Sequence, residues 1–175
     1  MINIILLSAS TFAIFFIFND LLFRSFELSQ HVSLLFIPSG VRIFFALVFD
    51  VPGVIGIGLG SLLIALFYLK DIGLDLALSS SLVAAGAAWG ARWLSVKLLK
   101  LDPDLRYITL FQIVQLCLIF AAVSATSHQA LYYLNGMTQD FAAASMHMFA
   151  GDVSGALVCL VVARASVLLI RRKRF

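Results

Sequence analysis

VSLLFIPSGVRIFFALVFDVPGVIGIGLGSLLIALFYL, running from Val32 to Leu69, decides the fold class. It holds two apolar runs separated by the turn signal Asp50-Val51-Pro52-Gly53. Each run is close to the ~20 mostly apolar residues that a membrane-spanning helix needs. Inside the first run sits Arg42, and a charge in hydrocarbon costs at least ~2.5 kcal/mol unless something compensates it. Pro38-Ser39-Gly40 lies just before it. Proline removes a backbone donor and clashes with the preceding turn, so the second span is expected to break or kink there. The second run is rich in glycine. Its Gly56 and Gly60 form a small-xxx-small pair that lets another helix approach closely.

Outward from this stretch the chain keeps the same character. Of 175 residues, 62% are hydrophobic and 12% charged. A soluble domain has about half apolar residues and a quarter charged. No hydrophilic stretch reaches the roughly 50 residues of a separate soluble domain. A single transmembrane domain over residues 1–175 is therefore expected. Further spans read as Ile2–Phe18, Leu76–Val96, Tyr107–Ser127 and Phe141–Ile170, beside Val32–Phe49 and Val54–Leu69. The expected fold is an all-α bundle of about six transmembrane helices with a broken second helix, embedded in a lipid bilayer. No basic segment precedes the first apolar run, so that run is read as a retained helix and not a cleaved signal. The connection from Asn19 to His31 alternates loosely and reads as an interfacial amphipathic segment. Asn19 and Asp20 read as markers of the first span's end.

Orientation follows from basic residues in short loops. Lys97, Lys100 and Arg106 share one side with the terminal Arg171-Arg172-Lys173-Arg174 cluster. The opposite loops carry Arg24 and Lys70. Both termini are therefore expected in the cytoplasm of a bacterial inner membrane. The basic residues lie at helix ends, so the pI of about 9.1 does not point to nucleic acid.

Asp152 is the second intramembrane charge. It and Arg42 each lie about ten residues into spans that run the same way. At a rise of 1.5 Å per residue both sit roughly 15 Å deep, near the midplane of a ~30 Å core. An arginine–carboxylate pair is the ordinary way to tolerate either charge there. Two readings follow: the pair locks helix packing, or it forms a polar site facing a ligand or partner.

The remaining polar residues say less. His147 lies between Met146 and Met148, but no second histidine or cysteine stands at helical spacing, so a soft metal site is not expected. Gln112 and Gln115 read as bonding across helices in preference to lining a pocket. Arg164 can snorkel to the cytoplasmic face. Cys117 and Cys159 read as packing residues. Asp102 and Asp104 flank Pro103 in a turn. Gly56-Ile57-Gly58-Leu59-Gly60 lies in an apolar span and is no phosphate loop. No nucleophile–base set stands out, so neither an enzyme nor a cofactor is expected.

Several of these stretches carry a family resemblance. Phe36-Ile37-Pro38-Ser39-Gly40, then Pro52-Gly53 and Gly56 to Leu66, resemble the opening of bacterial membrane-associated sensor (MASE-type) domains. Ala88-Trp89-Gly90-Ala91-Arg92-Trp93-Leu94 looks like that family's middle helix. Phe149-Ala150-Gly151-Asp152-Val153-Ser154-Gly155 looks like its late W-x-G-D-x-x-G motif. The similarity spans about residues 32–170. It implies an integral membrane sensory module with Pro38, Gly40, Gly151, Asp152 and Gly155 as core positions. Phe36 and Phe149 stand where the family has tryptophan. Such modules are usually fused to a kinase or cyclase, and a stand-alone module is expected here, acting through another membrane protein. The broken second span and the late G-D-x-x-G helix are also similar to substrate-binding subunits of energy-coupling-factor transporters. A third reading is an accessory subunit of a larger membrane complex.

Overall fold

A computed structural model describes residues 1–23, 27–29, 32–33, 35–69, 72–101, 105 and 108–172. The chain is all-α apart from one short antiparallel pairing, Glu27–Ser29 (β1) with Val32–Ser33 (β2). Five helices follow one another: α1 Ile2–Phe23, α2 Ile37–Leu63, α3 Leu74–Leu99, α4 Leu110–Leu134 and α5 Phe141–Arg172. A π-helical turn over Ile64–Tyr68 extends α2. All five are long and apolar enough to cross a membrane, with α2 and its π turn counted together as one 32-residue stretch. This is a multi-pass membrane protein. About six helices were expected from sequence, against the five described.

The difference lies in α2. It is not straight, because Asp50 takes φ 51° and ψ −133° and interrupts it. In a continuous helix, residues eight apart are separated by about 12 Å along the axis. Gly53 instead lies against the carbonyl of Phe45, so close that a Cβ there would strike it. The chain therefore folds back at Asp50, and α2 consists of two antiparallel limbs. Sequence reading expected the break at Pro38. Pro38 instead occupies the first turn of α2, where its missing N–H is one of those left free anyway. Residues 32–33 are strand, so the helix begins at Ile37, later than expected.

The limbs have separate neighbours. The second limb runs beside α1, with Gly56 against Ser8 and Gly60 against Ala9 and Phe12. A Ser8 hydroxyl donates to the Gly53 carbonyl at 2.8 Å. This limb also meets α3, where Gly58 faces Ala85. The first limb packs on α5 through Gly40 and Gly155. α3, α4 and α5 pack in sequence and close a ring with α2, leaving α1 outside it.

The exterior differs from that of a soluble protein, while the core still holds large apolar residues such as Phe120, Ile43 and Leu116. Large apolar side chains such as Leu82, Phe67 and Phe111 point outward, while Ser39, Arg42, Ser124, Gln129 and Asp152 are buried. Hydrocarbon makes this the low-energy arrangement, since polar groups find partners only inside the bundle. The ends of the elements are tied accordingly. Thr109 and Gln112 form a capping box at the start of α4. Asn19 is buried and its Oδ1 accepts from Ile37 N at 3.0 Å, while Tyr68 donates to Asp20 at 2.6 Å. These two residues join α1 to both ends of the α2 hairpin, beyond marking an interface. The expected turn at Asp102-Pro103-Asp104, along with Arg24, Lys70, Arg106 and Lys173 to Phe175, lies outside the described residues.

Candidate functional site

The first turn of α2 docks into the middle of α5. Phe36 N donates to the Gly151 carbonyl at 3.1 Å. Gly155 leaves no room for a side chain beside the Phe36 carbonyl, and Gly40 leaves none beside Cys159. These contacts explain the small residues at both positions. They also set the register that brings Arg42, one turn and a half further on, level with Asp152.

Arg42 and Asp152 do pair. Arg42 Nη2 donates to Asp152 Oδ1 at 3.2 Å, with the side chains 3% and 0% exposed. Ser39 Oγ donates to the Asp152 backbone carbonyl at 2.8 Å, fixing the same turn of α5. The guanidinium lies 5.6 Å from the centroid of the Phe36 ring and 5.4 Å from that of Phe120. Both distances fall within cation–π range, and desolvation strengthens such contacts. Among the described residues the pairing is incomplete. Arg42 Nε has no hydrogen-bond partner, and the Ser124 hydroxyl lies beside the Asp152 carboxylate without forming a hydrogen bond of good geometry to it.

This pair lies beside a cavity of about 490 Å³ lined by residues of all five helices, α1 included. Its aromatic wall includes Phe12, Phe16, Phe36 and Tyr132. Its polar lining adds His128, Gln129, Asp140 and His147 to the ion pair. His128 is buried on α4, with Nδ1 2.9 Å from the Ser124 carbonyl. That contact places the proton on Nδ1 in the neutral ring and leaves Nε2 as an acceptor. Gln129 bridges α4 to α5, donating to Met148 Sδ at 3.5 Å and accepting from Thr138 at 3.2 Å. The cavity reaches the α4–α5 connection, where Met137, Thr138 and Asp140 line it.

The sequence-predicted residues divide clearly. Arg42, Asp152 and His147 come together at the cavity. Gly40, Gly151 and Gly155 build the α2–α5 contact, Pro38 is buried in the first turn of α2, and Gly56 and Gly60 serve the separate α1 contact. Gln112 does not bond across helices: its Oε1 accepts from Thr109 N and Oγ1 of its own helix. Gln112 and Gln115 both stand away from the cavity lining. Sequence reading missed His128, Gln129 and Tyr132. All three sit in the polar tail of α4, which was read as a connection after Ser127. The spacing of His128 and Tyr132, one helical turn apart, was the available signal.

Among the described residues no group of three histidine, cysteine, aspartate or glutamate side chains could hold a metal ion. The cavity combines an apolar wall with a few convergent polar groups, as small-molecule sites do. Compared with protein-family models, curated proteins and solved structures, the chain finds no match.

Proposed function

We propose that this chain is a sensor-like membrane subunit that binds a small molecule in the cavity and acts through a partner membrane protein. The observation that carries this reading is the 490 Å³ cavity beside a buried, incompletely satisfied ion pair. A pair that served packing alone has no need of an aromatic-lined space next to it. The order of motifs that resemble those of MASE-type modules is the sequence ground for the same reading. The bound molecule changes the α2–α5 contact, because Arg42 and Asp152 join those helices and also line the cavity. No catalytic step is part of this proposal.

In the proposed topology both α2 limbs cross a bacterial inner membrane, giving six crossings and cytoplasmic termini. Arg92 pairs with Asp50 at 3.0 Å, placing the α2 turn at the basic end of α3 that also carries Lys97. By the positive-inside tendency this end is cytoplasmic. The cavity then lies toward the outer face, under the α4–α5 connection.

A second reading, the substrate-binding part of an energy-coupled transporter, is favoured by one observation. Met137, Thr138 and Asp140 of that connection line the cavity, as a cover over an outward-facing site would. Gentle purification from native membranes followed by mass spectrometry of bound proteins tests both readings. A stoichiometric kinase- or cyclase-type partner is the expected result. Paired ATPases would replace it with the transport reading. Recovery of the chain without any partner would overturn action through a partner.

A further inference from the structure

The cavity's charges and wall define the chemical class of its ligand. This inference rests on the ligand-binding reading above. Among the described lining residues, the cationic side chain is Arg42, which is paired with Asp152, while a second carboxylate, Asp140, stands exposed at the start of α5. An anion entering here meets more negative than positive charge. A permanent cation competes for Asp152 with an arginine already held there at 3.2 Å. Either ion would leave one member of the pair buried and uncompensated, which is strongly unfavourable.

Yet the pair is not saturated. An arginine carries five N–H donors and a carboxylate several acceptor positions, and one hydrogen bond joins the two. Arg42 Nε has no partner among the described residues, while the Ser124 hydroxyl lies beside the Asp152 carboxylate and uses part of its acceptor capacity. Unused donor and acceptor capacity thus sit side by side. His128 Nε2 adds a further acceptor on the same wall. Phe12, Phe16 and Tyr132, the last beside His128 on α4, add ring faces and edges to the lining.

We infer that the site takes an uncharged, planar ring compound whose edge carries a hydrogen-bond acceptor beside an N–H donor, as in a cyclic amide. The carbonyl accepts from the arginine side of the pair, the N–H donates to the carboxylate or histidine side, and the ring lies among the aromatic residues. The ion pair stays intact, and the ligand bonds to those guanidinium, carboxylate and imidazole positions that border the cavity.

Four probes on one bicyclic frame test this with the purified full-length chain in detergent. They are 2-quinolone, quinoline-2-carboxylate, N-methylquinolinium and naphthalene, and binding is followed by calorimetry. The expected result is that 2-quinolone binds about tenfold or more tightly than the other three, the factor set by leaving polar groups unpaired. Ala144→Leu, or Ser80→Leu on the opposite wall, narrows the cavity without touching the ion pair and should abolish that binding. Preference for the carboxylate or the quinolinium would overturn the uncharged ligand while leaving the cavity as a binding site. Equal binding of naphthalene would overturn the hydrogen-bonding edge. Absence of binding by all four, or binding unaffected by both cavity variants, would overturn this inference and the ligand-binding reading together.

Discussion

Removing one member of a buried ion pair leaves the other charged and unpaired, at a cost of about 3–5 kcal/mol. Arg42→Ala and Asp152→Ala should each destabilise the protein to this degree. The exchange of the two residues, Arg42→Asp with Asp152→Arg, should recover part of the loss. Thermal unfolding of the detergent-solubilised variants measures it, and an exchange as damaging as the single changes argues against a direct pair. Gly155 works at the same scale. A methyl group there would press on the Phe36 carbonyl, which is backbone and cannot swing away. Gly155→Ala is therefore expected to cost about 1–3 kcal/mol by overpacking, read in the same unfolding assay. Gly86→Ala is the control, since nothing lies within 4 Å of that glycine. Comparable losses at both positions would mean that the α2–α5 contact is not tight.

At the scale of elements, the turn within α2 governs where the two limbs lie. Asp50 has positive φ without being glycine, and such a backbone costs on the order of 1–3 kcal/mol. Its carboxylate recovers some of this by pairing with Arg92, although Asp50 is half-exposed and the pair is correspondingly weak. Asp50→Gly relieves the backbone and should leave stability unchanged or higher by up to about 1 kcal/mol. Asp50→Val adds β-branching in the same conformation and should destabilise clearly. Unfolding midpoints of the two variants decide it. A stabilising valine would mean that the limbs continue as one helix through this residue. Pro52 and Gly53 complete the turn, and Gly53 is required by the close approach of Phe45.

For the whole molecule, the number of crossings determines where the termini lie. Five crossings put them on opposite faces, and six put them on the same face. Reporters fused before Met1 and after Phe175 should both report the cytoplasm if each α2 limb crosses. A periplasmic signal from either fusion would overturn that topology. The burial pattern bears on stability at this scale as well. With lipid outside an interior that mixes large apolar residues such as Phe120 and Ile43 with small and polar ones, helix association depends on packing and internal hydrogen bonds, not on exclusion of water. Glycine contacts such as Gly56 on Ser8 therefore carry weight that a soluble bundle would assign to large apolar residues.

The sequence by itself determined the class of this protein. Apolar runs of membrane length, separated by turn signals, leave a spanning helix as the low-energy state because lipid offers the backbone no partners. It also made the Arg42–Asp152 pair legible, since two charges at equal depth in hydrocarbon are tolerated best together. The tertiary structure alone decided the rest. Pro38 was read as a break because proline is unfavourable inside a helix, and only the position of the helix start shows that it stands in the first turn. The reversal at Asp50 follows from a backbone angle that an Asp-Val-Pro-Gly signal suggests but does not specify. The cavity has no local signature at all. Its residues come from α1, α2, α3, α4 and α5, and a space exists only where the packed helices fail to meet.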